Sequence, residues 1–270
     1  MSRLGLLGLL AALCQAALGQ EIVTFAPRPG VTLSFFIANM GERKPEAVAL
    51  LYVGSEGAIN LRMEDGQPKF GQRNFLPRSR REFIRNGILP VILDVPSDQV
   101  AGMSDEFRMS DTHRLDTRGV ITEVKRRYPG LPVFLVGTSR GTLSAAYVGA
   151  GLGSDVAGVV LTASYFQHLA GRNRNKRVEP KLSAFKWHTL RVPVLIVHHA
   201  EDSCESTPYP EALKLMRQYQ YPLITVFGGK PPESGPCEPL AAHGFYGMEA
   251  KTLDAIAGWM LGKPYAREIR

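Results

Sequence analysis

Short apolar runs alternate with longer helical patterns along most of the chain. Five of the apolar runs are nearly continuous in Val, Ile and Leu, which is typical of strands buried on both faces of a sheet. The runs predict eight strands, with an edge strand at 21–27 followed by 31–39, 47–54, 88–96, 132–138, 157–164, 192–200 and 221–229.

Helical patterns fill the intervals between these strands, at 74–86, 111–128, 140–152, 210–219 and 248–261. Strand–helix alternation of this kind predicts an α/β fold with a mostly parallel sheet and helices on both faces. The short connection between 31–39 and 47–54 favours antiparallel strands at the N-terminal edge. We find no repeat and no long linker, so residues 20–270 are expected to form one domain.

The first 19 residues have the pattern of a secretory signal. A single basic residue, Arg3, precedes an apolar run, and Ala17-Leu18-Gly19 offers a small-x-small cleavage site. The run is too short for a comfortable membrane span, and no later run is long enough for one. We therefore expect a periplasmic or secreted protein without an integral membrane segment after cleavage. The alternative is that these residues form the first helix of the fold.

Basic residues outnumber acidic ones, and the formal net charge is +7 at pH 7. We find no nucleic-acid motif and no basic run with interleaved aromatics, so a nucleic-acid partner is not expected. Six of the basic residues lie between 172 and 186. This segment could attract an anionic substrate or the cell envelope, and a solvated basic loop is the alternative.

The stretch VFLVGTSRGTLSAA, residues 133–146, places Ser139 in a Gly-x-Ser-x-Gly turn between a predicted strand and a predicted helix. A nucleophile elbow requires this context, because the serine occupies a strained turn and the glycines avoid clashes with neighbouring elements. The backbone N–H of Arg140 is then a candidate donor to an oxyanion. A plain glycine-rich turn is the alternative.

A nucleophilic serine needs a histidine base and an orienting carboxylate, which in this architecture follow it in the order acid, then histidine. Asp202 lies just after the strand 192–200, and Glu201 is the alternative acid. His243, in the loop AAHGFYG, is the only histidine after Asp202. The order and the positions of these residues predict a Ser139–His243–Asp202 triad.

The other histidines are expected to have structural roles. His198 and His199 end a strand and are expected to pack or to support the site. We expect His113, in the first turn of a helix, to form a hydrogen bond with Asp116 rather than to act as a base.

A second oxyanion donor is expected in the loop GSEGAIN, residues 54–60, which follows the strand 47–54. Its glycines allow a close backbone approach, and the backbone N–H of Ser55 or Glu56 is the candidate.

Together, GTSRG, HHAEDSC and AAHGF resemble the α/β-hydrolase superfamily of serine hydrolases, over essentially the whole chain after residue 19. The stretches NFLPRSRREF, LDVPSD and SDEFRMSDTH further resemble a group of secreted bacterial α/β hydrolases of unsettled substrate. The resemblance implies Ser139 as nucleophile, Asp202 as acid and His243 as base. Two departures stand out. Tyr52-Val53-Gly54-Ser55 replaces the common His-Gly oxyanion loop, and residues 165–192 are too few for a large lid.

These features predict a hydrolase that cleaves an ester through an acyl-enzyme, with no metal or organic cofactor. The substrate is expected to be a small or oligomeric ester, with an anionic one favoured if the basic segment takes part in binding. A small serine peptidase of the same fold is the alternative enzyme. A non-catalytic binding protein on the same scaffold is the alternative from another class.

Cys204 and Cys237 remain after removal of the signal, and two cysteines in an oxidising compartment are expected to pair. Cys204 lies close to Asp202 and Cys237 lies close to His243. Acid and base must meet in the proposed fold, so their loops converge and bring the cysteines together. We therefore expect a disulfide between the acid loop and the base loop, and two unpaired buried cysteines are the alternative.

Overall fold

The computed structural model describes residues 20–170 and 177–270 of the chain. The predicted signal segment, 1–19, lies outside the described residues, as do residues 171–176 of the basic segment. A large central sheet with helices on both faces forms the core, which confirms the α/β-hydrolase fold that the sequence predicts.

The central sheet has nine strands in the order β1-β2-β6-β3-β7-β8-β11-β12-β13. Every pair from β6 onward is parallel, and the pairs of β2 with β1 and with β6 are antiparallel. The strands are β1 (Glu21–Arg28), β2 (Val31–Ile37), β3 (Ala47–Tyr52), β6 (Ile88–Leu93), β7 (Val133–Ser139), β8 (Gly158–Ser164), β11 (Val194–His199), β12 (Leu223–Val226) and β13 (Glu268–Ile269).

The sheet differs from the prediction at both of its edges. Strand β6 lies between β2 and β3, so the antiparallel neighbour of β2 on this side is β6 and not the next strand in sequence. The residues between β3 and β6 form a crossover that contains two short helices and a small hairpin, β4 (Arg62–Glu64) with β5 (Gln67–Lys69). At the other edge, β13 is only two residues long and too short to produce a periodic pattern.

The helices agree with the predicted positions, with two differences. The segment predicted at 74–86 is divided at Ser79 into two helices, and the short helix α3 was not predicted. Ser110 caps α4, because its hydroxyl accepts the N–H of His113 at 3.1 Å. The helices are α1 (Phe75–Arg78), α2 (Arg80–Arg85), α3 (Asp105–Arg108), α4 (Asp111–Arg127), α5 (Gly141–Leu152), α6 (Tyr209–Tyr219) and α7 (Glu249–Met260).

Each face of the sheet has its own hydrophobic core. Successive side chains of a strand point to opposite faces, so Leu50 of β3 lies in one core and Leu51 in the other. Helices α4, α5 and α6 close the first core, and α1, α2 and α7 close the second. In both described ranges, every helix is too short or too polar to cross a membrane.

The described residues of the connection from β8 to β11 form no large lid, as predicted. Its described residues form a two-stranded hairpin and two 3-10 turns, Leu182–Ala184 and Trp187–Thr189. The hairpin pairs β9 (Gln167–Ala170) with β10 (Arg177–Pro180).

The prediction for His113 is wrong. The carboxylate of Asp116 instead accepts two hydrogen bonds from Arg28, at 2.8 and 3.0 Å, which tie β1 to α4. The imidazole of His113 is buried against the rings of Tyr52 and Phe107, and neither ring nitrogen has a hydrogen-bond partner among the described residues.

Two histidines are buried in the neutral form. Burial, with a smaller effect from nearby Arg108, lowers the pKa of His113 to about 3. His198 packs between Phe166 and Tyr209, and burial lowers its pKa to about 4 although the charge of Asp202 opposes the shift. His198 thus has the packing role that the sequence predicts.

We predict that the two buried histidines make the protein less stable in mild acid. The unfolded chain binds protons at an ordinary histidine pKa of about 6.5, and the folded state resists protonation, so the free energy of unfolding falls as the pH drops below about 6.5. Each histidine contributes up to about 1.4 kcal/mol per pH unit in this window. Urea unfolding between about pH 7 and pH 4.5 measures the slope.

His113→Gln and His198→Gln should each flatten this dependence, since glutamine does not titrate. His188→Gln is the matched control, because His188 is exposed. Equal slopes for the wild type and both buried-site variants would contradict the prediction.

Candidate active site

Ser139 ends β7 immediately before α5 and has a φ of +52°. A residue other than glycine is strained in this left-handed region, so the surroundings must hold it there. The flanking glycines permit the turn. A Cβ at Gly141 would lie 2.2 Å from the carbonyl oxygen of Tyr52, and one at Gly137 would lie 2.5 Å from the carbonyl oxygen of Gly141. The turn has the backbone geometry that a nucleophile elbow requires.

The structure brings Asp202 and His243 together. Asp202 follows β11, and His243 lies in the 3-10 turn Ala242–Gly244, with 3.0 Å between Oδ2 of Asp202 and Nδ1 of His243. His243 and Ser139 line the same small pocket. Glu201, the alternative acid, is exposed, and its backbone N–H donates to the ring of His199.

The carboxylate of Asp202 is buried but well supplied with donors. Its Oδ1 accepts the backbone N–H of Cys204 at 3.0 Å, and its Oδ2 accepts the hydroxyl of Thr207 at 2.8 Å. Burial alone would raise the pKa of Asp202. The hydrogen bond from Nδ1 of His243, with a smaller one from the backbone N–H of Cys204, outweighs burial and holds the pKa below its usual value. Asp202 is therefore a carboxylate at neutral pH.

This arrangement determines the tautomer of His243. Because Nδ1 faces the carboxylate of Asp202, it carries the proton and donates it, which leaves the lone pair of Nε2 available as a base. The hydroxyl of Thr207 lies 3.2 Å from the same Nδ1 and contacts both partners. The sequence does not predict the role of Thr207. Its position five residues after Asp202 is the only feature of the sequence that suggests a contact with the carboxylate.

Cys204 and Cys237 form a disulfide, as the sequence predicts, with their Cα atoms 4.6 Å apart. The bond joins the loop that carries Asp202 to the loop that carries His243. Cys237 also lines the pocket beside Ser139. The covalent link therefore lies within the site and not at a remote position.

The candidate oxyanion loop, residues 54–60, begins with a tight turn at 54–57 that packs against Ser139. The N–H of Gly57 donates to the carbonyl of Gly54 at 3.0 Å, and Ser55 has a φ of +48°. A Cβ at Gly54 would lie 3.1 Å from Cβ of Ser139. Of the two candidates, Ser55 lines the pocket, and the exposed side chain of Glu56 lies 3.6 Å from Arg140.

Arg140, the candidate for the first donor, occupies the N-cap position of α5. The N–H groups at the start of a helix have no intrahelical acceptor and are available to a ligand. The guanidinium of Arg140 turns away to Asp105, with contacts of 2.8 and 2.9 Å. Asp105 also pairs with Lys181 at 2.9 Å, so this lysine of the basic segment is neutralised within the fold.

Asn74 lines the same pocket and was not predicted to do so. It caps α1, where its Oδ1 accepts the N–H of Leu76 at 3.3 Å, so its amide Nδ2 points away from the helix. A Cβ at Gly54 would lie 3.4 Å from this Nδ2. The amide is therefore a side-chain donor facing the space in front of Ser139.

Arg78 supports the loop that carries the base. Its Nη2 donates to the carbonyl of Gly244, next to His243, at 2.8 Å, and its guanidinium also pairs with Glu249. The partners are more than 160 residues from Arg78 in sequence, so no local pattern could have indicated the contact.

Comparison with known proteins supports the assignment of the fold. The family model described as serine aminopeptidase, S33, matches residues 99–224, which include Ser139 and Asp202. No protein of curated function matches the chain in sequence.

Several solved structures resemble the chain over most of its length at low identity. An α/β serine hydrolase homologue from Coxiella burnetii is 14% identical, with a TM-score of 0.55, and the match covers 91% of this chain and 97% of that one. The esterase domain of a Rhodothermus marinus protein is also 14% identical, with a TM-score of 0.56 and coverage of 91% and 99%.

XC6422 from Xanthomonas campestris, described as a serine hydrolase without a lid, is 15% identical, with a TM-score of 0.53 and coverage of 87% and 94%. The strand order, the elbow at Ser139 and these matches lead to one conclusion. The chain has the fold of the α/β serine hydrolases.

Proposed function

We propose that this chain is an exported serine hydrolase that cleaves a carboxylic ester through an acyl-enzyme intermediate. The single observation that carries the proposal is the pairing of Asp202 with His243 beside a strained Ser139 in one pocket. A strained serine is retained where the surrounding structure holds it, and such residues cluster at active sites.

In the proposed reaction, Oγ of Ser139 attacks the ester carbonyl while Nε2 of His243 takes its proton. The tetrahedral intermediate carries its negative charge on the former carbonyl oxygen, which accepts hydrogen bonds from the N–H of Arg140 and from the loop 54–57. His243 then returns the proton to the departing alkoxide, which leaves as an alcohol. Water repeats the sequence on the acyl-enzyme, releasing the carboxylic acid and regenerating Ser139.

The lining of the pocket favours an ester over a peptide with a free N-terminus. An aminopeptidase must bind the ammonium group of its substrate, for which a free carboxylate is the natural partner. The described lining residues include no Asp or Glu, and the nearby carboxylates of Glu56, Asp105 and Asp202 already face basic partners. Peptidase activity is the second candidate, because the matching family model describes a serine aminopeptidase.

The proposed location is the periplasm or the extracellular space, with residues 1–19 removed and residues 20–270 acting as one catalytic domain. The sequence pattern of the first 19 residues and the Cys204–Cys237 disulfide support this location, since disulfides persist in oxidising compartments. A non-catalytic binding protein has no need for a paired Asp202 and His243 next to a strained serine.

We predict that a fluorophosphonate probe labels the folded protein at neutral pH and that Ser139→Ala abolishes both labelling and hydrolysis. The probe reacts with an activated serine, so labelling depends on the complete site. A panel of p-nitrophenyl esters graded in acyl length and charge should include substrates, whereas aminoacyl anilides should not be cleaved. An unlabelled, folded wild type would favour a binding protein, and cleavage of anilides alone would favour a peptidase.

We predict that Asp202→Asn lowers kcat by about 10³–10⁴-fold without unfolding the protein, because the amide no longer fixes the tautomer of His243. Glu201→Gln is the matched control. It removes the neighbouring carboxylate and should change kcat by less than about threefold. Steady-state kinetics together with circular dichroism check both variants. The reverse ranking would assign the acid to Glu201.

A further inference from the structure

Arg108, the last residue of α3, is fully buried. A buried guanidinium is normally paired with a carboxylate, since burying an unpaired charge is costly. No carboxylate oxygen lies within the 4.0 Å ion-pair distance of Arg108 among residues 20–170 and 177–270, and its Nε has no hydrogen-bond partner there. The protein thus keeps a buried cation although burying it without a carboxylate partner destabilises the folded state.

The guanidinium of Arg108 links the candidate oxyanion loop to α5, the helix that follows Ser139. Its Nη2 donates to the backbone carbonyl of Ser55 at 2.9 Å, and its Nη1 donates to the hydroxyl of Ser144 on α5 at 3.2 Å. The absence of a side chain at Gly57 makes this possible, because a Cβ there would lie 2.6 Å from Nη2.

The contact with Ser55 fixes the direction of a candidate oxyanion donor. In a trans peptide the C=O and the following N–H point in opposite directions. The carbonyl of Ser55 is held towards Arg108, so the N–H of Glu56 must face away from the guanidinium. The peptide between Gly54 and Ser55 is held in a similar way. The N–H of Gly57 donates to the carbonyl of Gly54, so the N–H of Ser55, on the same peptide, points away from Gly57.

The loop needs such restraint because Ser55 is in the left-handed region, which is unfavourable for serine. The carbonyl of Glu56 is also held, by the N–H of Met103 at 2.8 Å. The donors to the carbonyls of Ser55 and Glu56 are thus Arg108 and Met103. They lie at the two ends of the segment 103–108, which therefore supports the loop.

Arg108 keeps its charge in this position. Burial, with a smaller effect from Arg140, lowers the pKa of the guanidinium to about 10, and Asp105 and Glu56 partly oppose the shift. The neighbouring His113 is neutral, because burial lowers its pKa to about 3. A positive charge therefore lies directly behind the oxyanion loop in a region that excludes water, where its field is weakly screened.

We propose that Arg108 is a positioning residue that holds the loop 54–57 in its strained conformation and whose buried charge stabilises the negative tetrahedral intermediate. This role rests on the proposed ester hydrolysis at Ser139. The unpaired cation is energetically unfavourable in the free protein. In the transition state, negative charge develops on the carbonyl oxygen of the substrate and interacts favourably with it.

The test compares two variants. Arg108→Met removes the charge at similar side-chain length, and Arg108→Lys keeps the charge but cannot donate to Ser55 and Ser144 together. Arg118→Met is the matched control, since Arg118 is exposed on α4. Rates on a p-nitrophenyl ester are expressed per active site, counted by fluorophosphonate labelling taken to completion. We expect kcat to fall about 10²-fold in the Met variant and about tenfold in the Lys variant, with KM changed less than about threefold. The control should match the wild type.

A second readout separates this role from a merely structural one. The Ki of a trifluoromethyl ketone, which forms a tetrahedral adduct with the serine, should rise by the same factor as kcat/KM falls.

An unchanged kcat per active site in the Met variant would overturn the proposal, whatever its stability. If the Met variant does not fold, the Lys variant decides, and a wild-type kcat and Ki there would overturn it. Hydrolysis that survives Ser139→Ala would instead overturn the proposed function. A fully active Met variant alongside an inactive Ser139→Ala would refute only the role of Arg108.

Discussion

The site depends on the tight turn between β7 and α5 that forces Ser139 to a positive φ. The turn is possible only because Gly137 and Gly141 leave room for neighbouring backbone, and it is maintained because β7 is paired on both sides, with β3 and β8. Strain of this kind costs on the order of 1–3 kcal/mol and persists only where packing over-determines the conformation. Two hydrophobic cores, one on each face of the sheet, provide that packing.

The remaining parts of the site are arranged around this fixed serine by loops that are themselves restrained. The Cys204–Cys237 disulfide joins the acid and base loops, and Arg78 holds the carbonyl next to His243. On the opposite side, the segment 103–108 supports the oxyanion loop. Each restraint fixes a loop, as the proposed mechanism requires, because its oxyanion donors are backbone N–H groups and its base must keep a fixed position.

The sequence predicts those features that are encoded locally. The strand at 133–139 is continuous in apolar residues, the elbow has a five-residue pattern, and acid and base follow their strands in a fixed order, so these parts are readable from short stretches. The disulfide follows from the convergence of two loops that the predicted triad requires. The order of β2, β6 and β3 is not local, because the apolar pattern of a strand does not specify which neighbour it pairs with.

Contacts between side chains that are far apart in the sequence likewise cannot be predicted from local patterns. The expected bond between His113 and Asp116 respects helical spacing, but Arg28, 88 residues away, provides two charge-assisted hydrogen bonds that the histidine cannot match. Arg108 gave no signal in the sequence beyond being one charge in a run of charges, and only the fold shows that it is buried.

If the proposed reaction passes through an acyl group on Ser139, mass spectrometry detects that group during turnover. The protein is mixed with a slowly deacylating ester, quenched in acid during turnover, weighed intact and then digested. We expect a mass increase equal to one acyl group, located on the peptide that contains Ser139. Turnover without any covalent adduct, or an adduct on another residue, would contradict it.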